Sequence, residues 1–232
     1  MKRTILTVTV LLIASGLFAQ VSEPAPETIG VNTAQQRLQE ISVSKFEDPG
    51  FWRVYMPLDQ GLITSRRFEG APADKEPIPE EVELGIDEPD RYVLGVKAEF
   101  FRRMNTQISI QPLRPIAVPG ITKTISVWVV GRNANHRLMV VISDQFGNTA
   151  YLPMGTLNFT GWRELVVAVP PNIVQRNARY ANREGIRIMG FVIEPELSEA
   201  FGEYYVYFDG LRATTDLFAE ESRDPDDLPD NW

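Results

Sequence analysis

GITKTISVWVV, residues Gly120–Val130, is the stretch whose reading decides the fold. Ile125, Val127 and Val129 alternate with Ser126 and Trp128. Successive strand side chains point to opposite sides, so this spacing predicts a β-strand with one buried face. Gly131-Arg132-Asn133 breaks the run. Leu138–Ile142 follows as a continuous apolar block, closed by Asp144-Gln145-Phe146-Gly147-Asn148, where Gly and Asn accept the positive φ of a tight turn. Tyr151-Leu152 leads back, Phe159-Thr160-Gly161-Trp162 turns again, and Leu165–Val169 stops at Pro170-Pro171. Four short strands with turn chemistry between them describe the middle of an antiparallel β-sandwich. The expected class is therefore all-β and jelly-roll-like, with Val127, Val129, Val140, Ile142, Leu165 and Val167 in one core.

Strand signals continue on both sides. Leu94, Val96, Ala98 and Phe100 share one face while Lys97, Glu99 and Phe101 share the other. Ile108 and Ile110 alternate with polar neighbours, and the two runs read as a hairpin set apart by Pro112, Pro115 and Pro119. Leu62–Phe68 reads as an edge strand, Asn172–Glu184 as a long loop, Ile186–Ile193 as a strand covered on both faces, and Tyr204–Asp209 as the last strand. The domain expected is thus 45–215.

Its flanks differ in composition. Residues 1–19 carry Lys2-Arg3, a short apolar run from Ile5 to Ile13 and a cleavage-like end at Leu17-Phe18-Ala19, which reads as a cleaved export signal. The run is too short to span a bilayer. Residues 20–44 read as a polar arm with a short helix from Thr33 to Ile41, capped by Thr33. An acidic loop, 72–90, interrupts the domain with eight acids against the single base Lys75, and an acidic tail, 216–232, ends it. Such a loop has too little apolar surface to order itself and is expected to be exposed.

The chain has 232 residues, 44% of them hydrophobic, enough for a sizeable core. It has no Cys, which excludes disulfides and thiolate metal sites. The formal net charge of -8 is uneven, because residues 91–215 carry fourteen bases and nine acids while the loop and tail are strongly acidic. The acidic segments either keep the chain soluble or meet basic faces of neighbouring copies or of another protein. Arg102, Arg103, Arg176, Arg179 and Arg183 are the partners proposed, since the guanidinium fork donates well to carboxylates. Trp128, opposite the core face of its strand, completes this candidate assembly interface.

Catalytic patterns are sparse. His136 is the sole histidine and reads as a surface loop residue without triad partners. Glu194 and Glu196 can be paired carboxylates of a glycosidase, but Pro195 between them favours a solvated turn. Glu47 or Asp48 with Asp209 offers oxygen ligands for Ca²⁺ if their strands meet. No Gly-rich phosphate loop stands between a strand and a helix. Asn158-Phe159-Thr160 matches a glycosylation acceptor of little specificity. No enzyme activity, catalytic residue, metal, cofactor or nucleic-acid partner is expected.

Several ordered runs carry a family resemblance. They are LGVKAEFFRR (94–103), Arg114-Pro115-Ile116, Gly120–Val129, Gly131-Arg132-Asn133, LNFTGW (157–162), IVQR (173–176), YVYFD (205–209) and LRATTDLF (211–218). Together they resemble the spirochaete flagellar filament outer layer proteins, the FlaA family, from Phe46 to Phe218. The resemblance implies a sheath subunit that coats the flagellin core of a periplasmic flagellum and influences stiffness, shape and motility. It implies as partners the core filament, other coat proteins and further sheath copies, with no membrane contact after signal cleavage. Two other classes share the sandwich: a secreted carbohydrate-binding module, whose exposed aromatics stack on sugars, and a periplasmic glycosidase.

Overall fold

The computed structural model describes residues 38–86, 88–103, 105–176 and 185–217. In chain order the elements are β1 (Leu38–Ser44), β2 (Trp52–Tyr55), β3 (Gly61–Glu69), α1 (Pro79–Glu83), β4 (Tyr92–Phe100), β5 (Ile108–Pro112), β6 (Ile116–Val118), β7 (Ile121–Val130), β8 (Arg137–Ser143), β9 (Thr149–Thr156), β10 (Trp162–Ala168), β11 (Ile186–Glu194) and β12 (Gly202–Asp216). They form two six-stranded antiparallel sheets around one core. The first runs β10-β7-β12-β4-β3, with β1 beside the second half of β12. The second runs β2-β5-β11-β8-β9, with β6 beside β11. This is the antiparallel β-sandwich that the alternation predicts.

The central stretch is shared between the layers. β7 and β10 pair in the first sheet, Val127 opposite Leu165, while β8 and β9 pair in the second, Val140 opposite Leu152. The chain changes layer after β7 and again before β10, and the two crossings touch. A Cβ at Gly131 would lie 2.3 Å from the Leu157 carbonyl oxygen, so only glycine fits. Arg132 and Asn133 follow at φ 59° and 57°, an uncommon region for such residues. They are held there by Asn133 N–H donating to the Phe159 carbonyl at 2.8 Å and Ala134 N–H to that of Leu157 at 3.2 Å.

Apolar alternation fills the core from both sheets. Val127, Val129, Val140 and Ile142 are fully buried, Leu165 is buried and Val167 packs against them half-buried. At the centre, Phe46, Trp52, Phe191 and Phe208 form a ring cluster with centroids 4.8 to 6.3 Å apart. Phe208 comes from the first sheet and Phe191 and Trp52 from the second, so the cluster ties the layers together. Such ring pairs add about 0.5–1.5 kcal/mol each beyond area burial. Trp52 Nε1–H donates to Ser44 Oγ at 3.2 Å, which satisfies its one polar atom.

Three expectations are corrected. Leu38–Ile41 is not helical but part of β1, paired with β12 from Leu38 opposite Asp216 to Ile41 opposite Ala213. β12 runs on to Asp216, past the strand end read at Asp209, and its second half would otherwise be an open edge. Ladder hydrogen bonds along it outweigh the narrow apolar face of so short a helix. β4 and β5 are not a hairpin: β4 pairs with β3 and β12, β5 with β2 and β11. Period-2 alternation identifies a strand without identifying its neighbour. The acidic loop is not simply exposed, because Ile78 is buried and α1 forms within it. Residues 1–37, with the export signal, lie outside the described residues, as do 177–184 and 218–232.

Candidate functional site

The first sheet turns its second face outward, and antiparallel register aligns side chains across it. Arg66 lies opposite Gly95, Gly95 opposite Tyr207, Tyr207 opposite Val130, and Val130 opposite Trp162. This one row therefore crosses five strands. Phe68 and Tyr207 meet edge to face at 5.7 Å over Gly95, where a Cβ would come within 2.5 Å of the Phe68 ring. Arg132 places its guanidinium 5.3 Å from the Tyr207 ring centroid. One residue pair further along, Lys97 reaches over the Tyr205 ring and pairs with Glu203, which also accepts from Tyr205 Oη at 2.6 Å. These hydrogen bonds from Lys97 and Tyr205 hold the Glu203 carboxyl below its ordinary range and raise both partners.

The row floors a trough. One hollow of about 370 Å³ lies over Thr64, Phe68, Gly95, Lys97 and Tyr205, and a second of about 630 Å³ lies over Gly70, Arg132, Thr160 and Trp162. Phe68 and Tyr207 line both. Ring faces beside fixed cations are chemistry for adhesion by stacking and charge.

The acidic segment closes the other half of this face. Lys75 Nζ lies 2.6 Å from Asp209 Oδ2 and 2.7 Å from Asp90 Oδ1. Asp209 is fully buried and its Oδ1 accepts from Gly210 N–H at 2.7 Å. Burial pushes the Asp209 carboxyl up to about 6, against the pull of the Lys75 ammonium. Gly210, at φ +53°, gives the Lys75 stem and the Trp128 ring room to close on the backbone; a Cβ there would lie 3.0 Å from Lys75 Cδ and 3.3 Å from Trp128 Cδ1. Arg212 donates to the Glu76 carbonyl and Lys45 to Glu81 Oε2 at 2.8 Å. Buried apolar and ionic anchors thus order a segment whose composition alone reads as a free loop. Glu47 Oε1 accepts from the backbone N–H groups of Arg91 and Tyr92, and Asp209 is held by Lys75, so these two expected calcium ligands are engaged elsewhere.

Among the described residues, those proposed for assembly lie apart. Arg102 and Arg103 follow Phe100, which lies opposite Gly202 at the start of β12. Arg102 pairs with Asp59 at 3.5 Å and Arg103 stacks 4.6 Å over Phe201. Arg176 follows Gln175, whose side-chain amide is paired with both backbone groups of Thr122, near the far end of β12. Trp128 lies between these ends, half-buried beside Asp209 and Glu164. Arg179 and Arg183 lie outside the described residues. Glu194 ends β11 beside Gln107 and Arg137, and the Glu196 backbone turns inward.

The inward turn of Glu196 meets His136, which is a core residue, not a surface one, with 1% of its area exposed. It packs edge-on to Tyr204 at 4.4 Å and to Phe100 at 6.4 Å, and Nδ1 accepts from Glu196 N–H at 3.1 Å. An accepting Nδ1 is unprotonated, and burial lowers the imidazole pKa. The chain's only histidine gives one imidazole signal in NMR. That signal should titrate with its midpoint below the ordinary histidine value of about 6.5. The folded state binds this proton more weakly than the unfolded one, so the associated stability is present above the ordinary histidine range and is lost as pH falls through the lowered value. A normal titration at 6.5 would contradict the buried placement.

The sequence profile described as flagellar filament outer layer protein FlaA matches residues 18–223. A protein of Brachyspira hyodysenteriae named "Putative flagellar filament outer layer-like protein" is 36% identical over 203 residues, which is 88% of this chain and 91% of that protein. A "Flagellar filament outer layer protein" of Treponema pallidum is 30% identical over 105 residues, 42% of this chain and 30% of that protein. Among solved structures, a family 11 carbohydrate-binding module from Clostridium thermocellum aligns at a TM-score of 0.48 with 9% identity, over 78% of this chain and 98% of that one.

Proposed function

The chain belongs to the flagellar filament outer layer protein FlaA family, and from that premise we propose that it is a sheath subunit coating the flagellin core of a periplasmic flagellum. The observation that carries the reading is the family match, which runs along nearly the whole chain and includes both halves of the sandwich. The signal-like residues 1–19 support it from chemistry. A subunit exported by a cleaved signal reaches a filament from outside, whereas core flagellins travel through the flagellum's own channel. In this reading the trough between Phe68 and Trp162 is the face offered to the core, and the coat alters filament stiffness, shape and motility.

The test is immunogold labelling of isolated periplasmic filaments from wild-type and deletion strains. Label should follow the filament and vanish with the gene, and the native subunit should begin near Gln20 by mass spectrometry. Tyr207→Ser with Arg132→Ala should weaken co-sedimentation with core filaments about tenfold, since stacked aromatic and Arg anchors are worth roughly 1–2 kcal/mol or more. Unlabelled filaments would overturn the reading. A second reading, a glycan-binding module, draws on the exposed ring of Tyr205 and the half-buried ring of Tyr207. Retardation of the chain in affinity electrophoresis by a soluble glycan, without filament label, would favour it.

A further inference from the structure

β3 and β4 form one antiparallel pair, from Gly61 opposite Phe100 to Glu69 opposite Tyr92. The two ends of this pair carry opposite chemistry. At about 3.3 Å per residue they stand roughly 25–30 Å apart. At the Gly61 end, Phe101 N–H donates to the Gln60 carbonyl at 2.9 Å, and Phe100 lies opposite both Gly61 and Gly202. This brings Leu58, Phe101 and Phe201 to one end of the sandwich, where they are 86%, 56% and 56% exposed. Arg102 and Arg103 flank them, Arg102 in a solvent-exposed pair with Asp59 and Arg103 over the Phe201 ring. At the Glu69 end stands the strap, residues 70–91, which exposes Val82 and Leu84 at 61% and 72%. Glu83 and Glu88 lie among these, both exposed, with Glu88 also 3.5 Å from Lys45 Nζ.

An apolar patch edged by arginines and an apolar patch edged by glutamates are complementary in both respects. They lie at opposite ends of one rigid pair, so one molecule cannot bring its two patches together. A second copy can. We propose that subunits associate head to tail, the strap of one copy seated on the Phe101–Phe201 end of the next. The two surfaces differ, so each contact leaves one of each kind free, and the contact propagates as an open row. This deepens the sheath reading and rests on it for where such rows would lie.

The chain contains no cysteine, which makes the geometry directly testable. Full-length mature protein is prepared as two charge-reversed variants, Arg102→Glu with Arg103→Glu, and Glu83→Lys with Glu88→Lys. The changed side chains are all exposed, and circular dichroism checks that each variant keeps its fold. Sedimentation velocity, in solution and on purified core filaments, should show wild type associating and each variant alone at least tenfold weaker. The equimolar mixture should recover association, because the reversed ends match each other. Cross-linking of an L84C copy to an F101C copy should exceed L84C to L84C and F101C to F101C. A mixture no better than either variant, or like-to-like cross-links dominating, overturns the head-to-tail row. The sheath reading is judged separately: variants that still bind core filaments as single subunits would leave it standing while sinking the row.

Discussion

Lys75→Met should destabilise the protein by about 3–5 kcal/mol at pH 7–8, the cost of stranding a buried charge whose partner is removed. Asp209 is fully buried and the Lys75 side chain is 7% exposed, so solvent does little to screen the pair. Without the ammonium, Asp209 keeps Gly210 N–H as a donor but loses its counter-charge. Its carboxyl already sits up at about 6 through burial and will rise further. A carboxyl raised above its unfolded value contributes stability below that unfolded value and loses it as pH rises through the folded one. The deficit of Lys75→Met should therefore shrink as pH falls from 8 towards 5, in urea unfolding followed by Trp fluorescence. Lys75→Met with Asp209→Leu should recover most of the loss, since replacing both members of a buried pair is often close to neutral. A loss below 1 kcal/mol, independent of pH, would mean that the strap is not latched here. Because Lys75 and Asp209 tie the strap down, the single variant should also weaken any contact the strap makes.

That latch marks where the sequence stops being legible. Alternation at Ile125, Val127 and Val129 and at Leu94 to Phe100 identifies strands because strand geometry is local. The allocation of strands to sheets is not local, which is why β4 and β5 read as a hairpin yet lie in different layers. Lys75 and Asp209 stand 134 residues apart, and no spacing rule links them. Composition made the strap look unfoldable, but composition does not register that Ile78 finds a buried seat or that Lys75 finds one carboxylate. His136 looked like a loop residue because its turn is polar, while its burial comes from Phe100 and Tyr204, both far along the chain. The alternation of Tyr205 and Tyr207 with Tyr204, Val206 and Phe208 is visible in the sequence. Their neighbours Arg66, Phe68 and Gly95 are not, since only register across β3, β4 and β12 aligns them. Residue type likewise carries no position: Arg102 and Arg176 share a type but lie towards opposite ends of β12.

Val127→Asp should cost about 3 kcal/mol or more and leave little folded protein at 37 °C, since a buried charge without a partner carries that order of penalty. Val127 is fully buried in β7, opposite Leu165 of β10 and between two core neighbours, Ile125 and Val129. Its neighbours along the strand offer no partner, because Ser126 and Trp128 face the other way by the same alternation that turns Val127 in. The carboxyl would respond by taking up a proton, so the defect should be smaller at pH 5 than at pH 8. Val166→Asp supplies the control. Val166 lies one residue from Leu165 on β10, opposite Ser126, and is 54% exposed on the outer face. The same substitution there should change stability by no more than about 0.5 kcal/mol, the usual range for surface sites. Guanidinium melts of the two variants decide the matter. Equal losses at both positions would mean that β10 and β7 do not hold this register, because a slip of one residue exchanges the buried and exposed sets. A severe loss at Val127 with none at Val166 fixes the inward face of the sheet. It also fixes by parity the outward row on which Tyr207, Val130 and Trp162 stand.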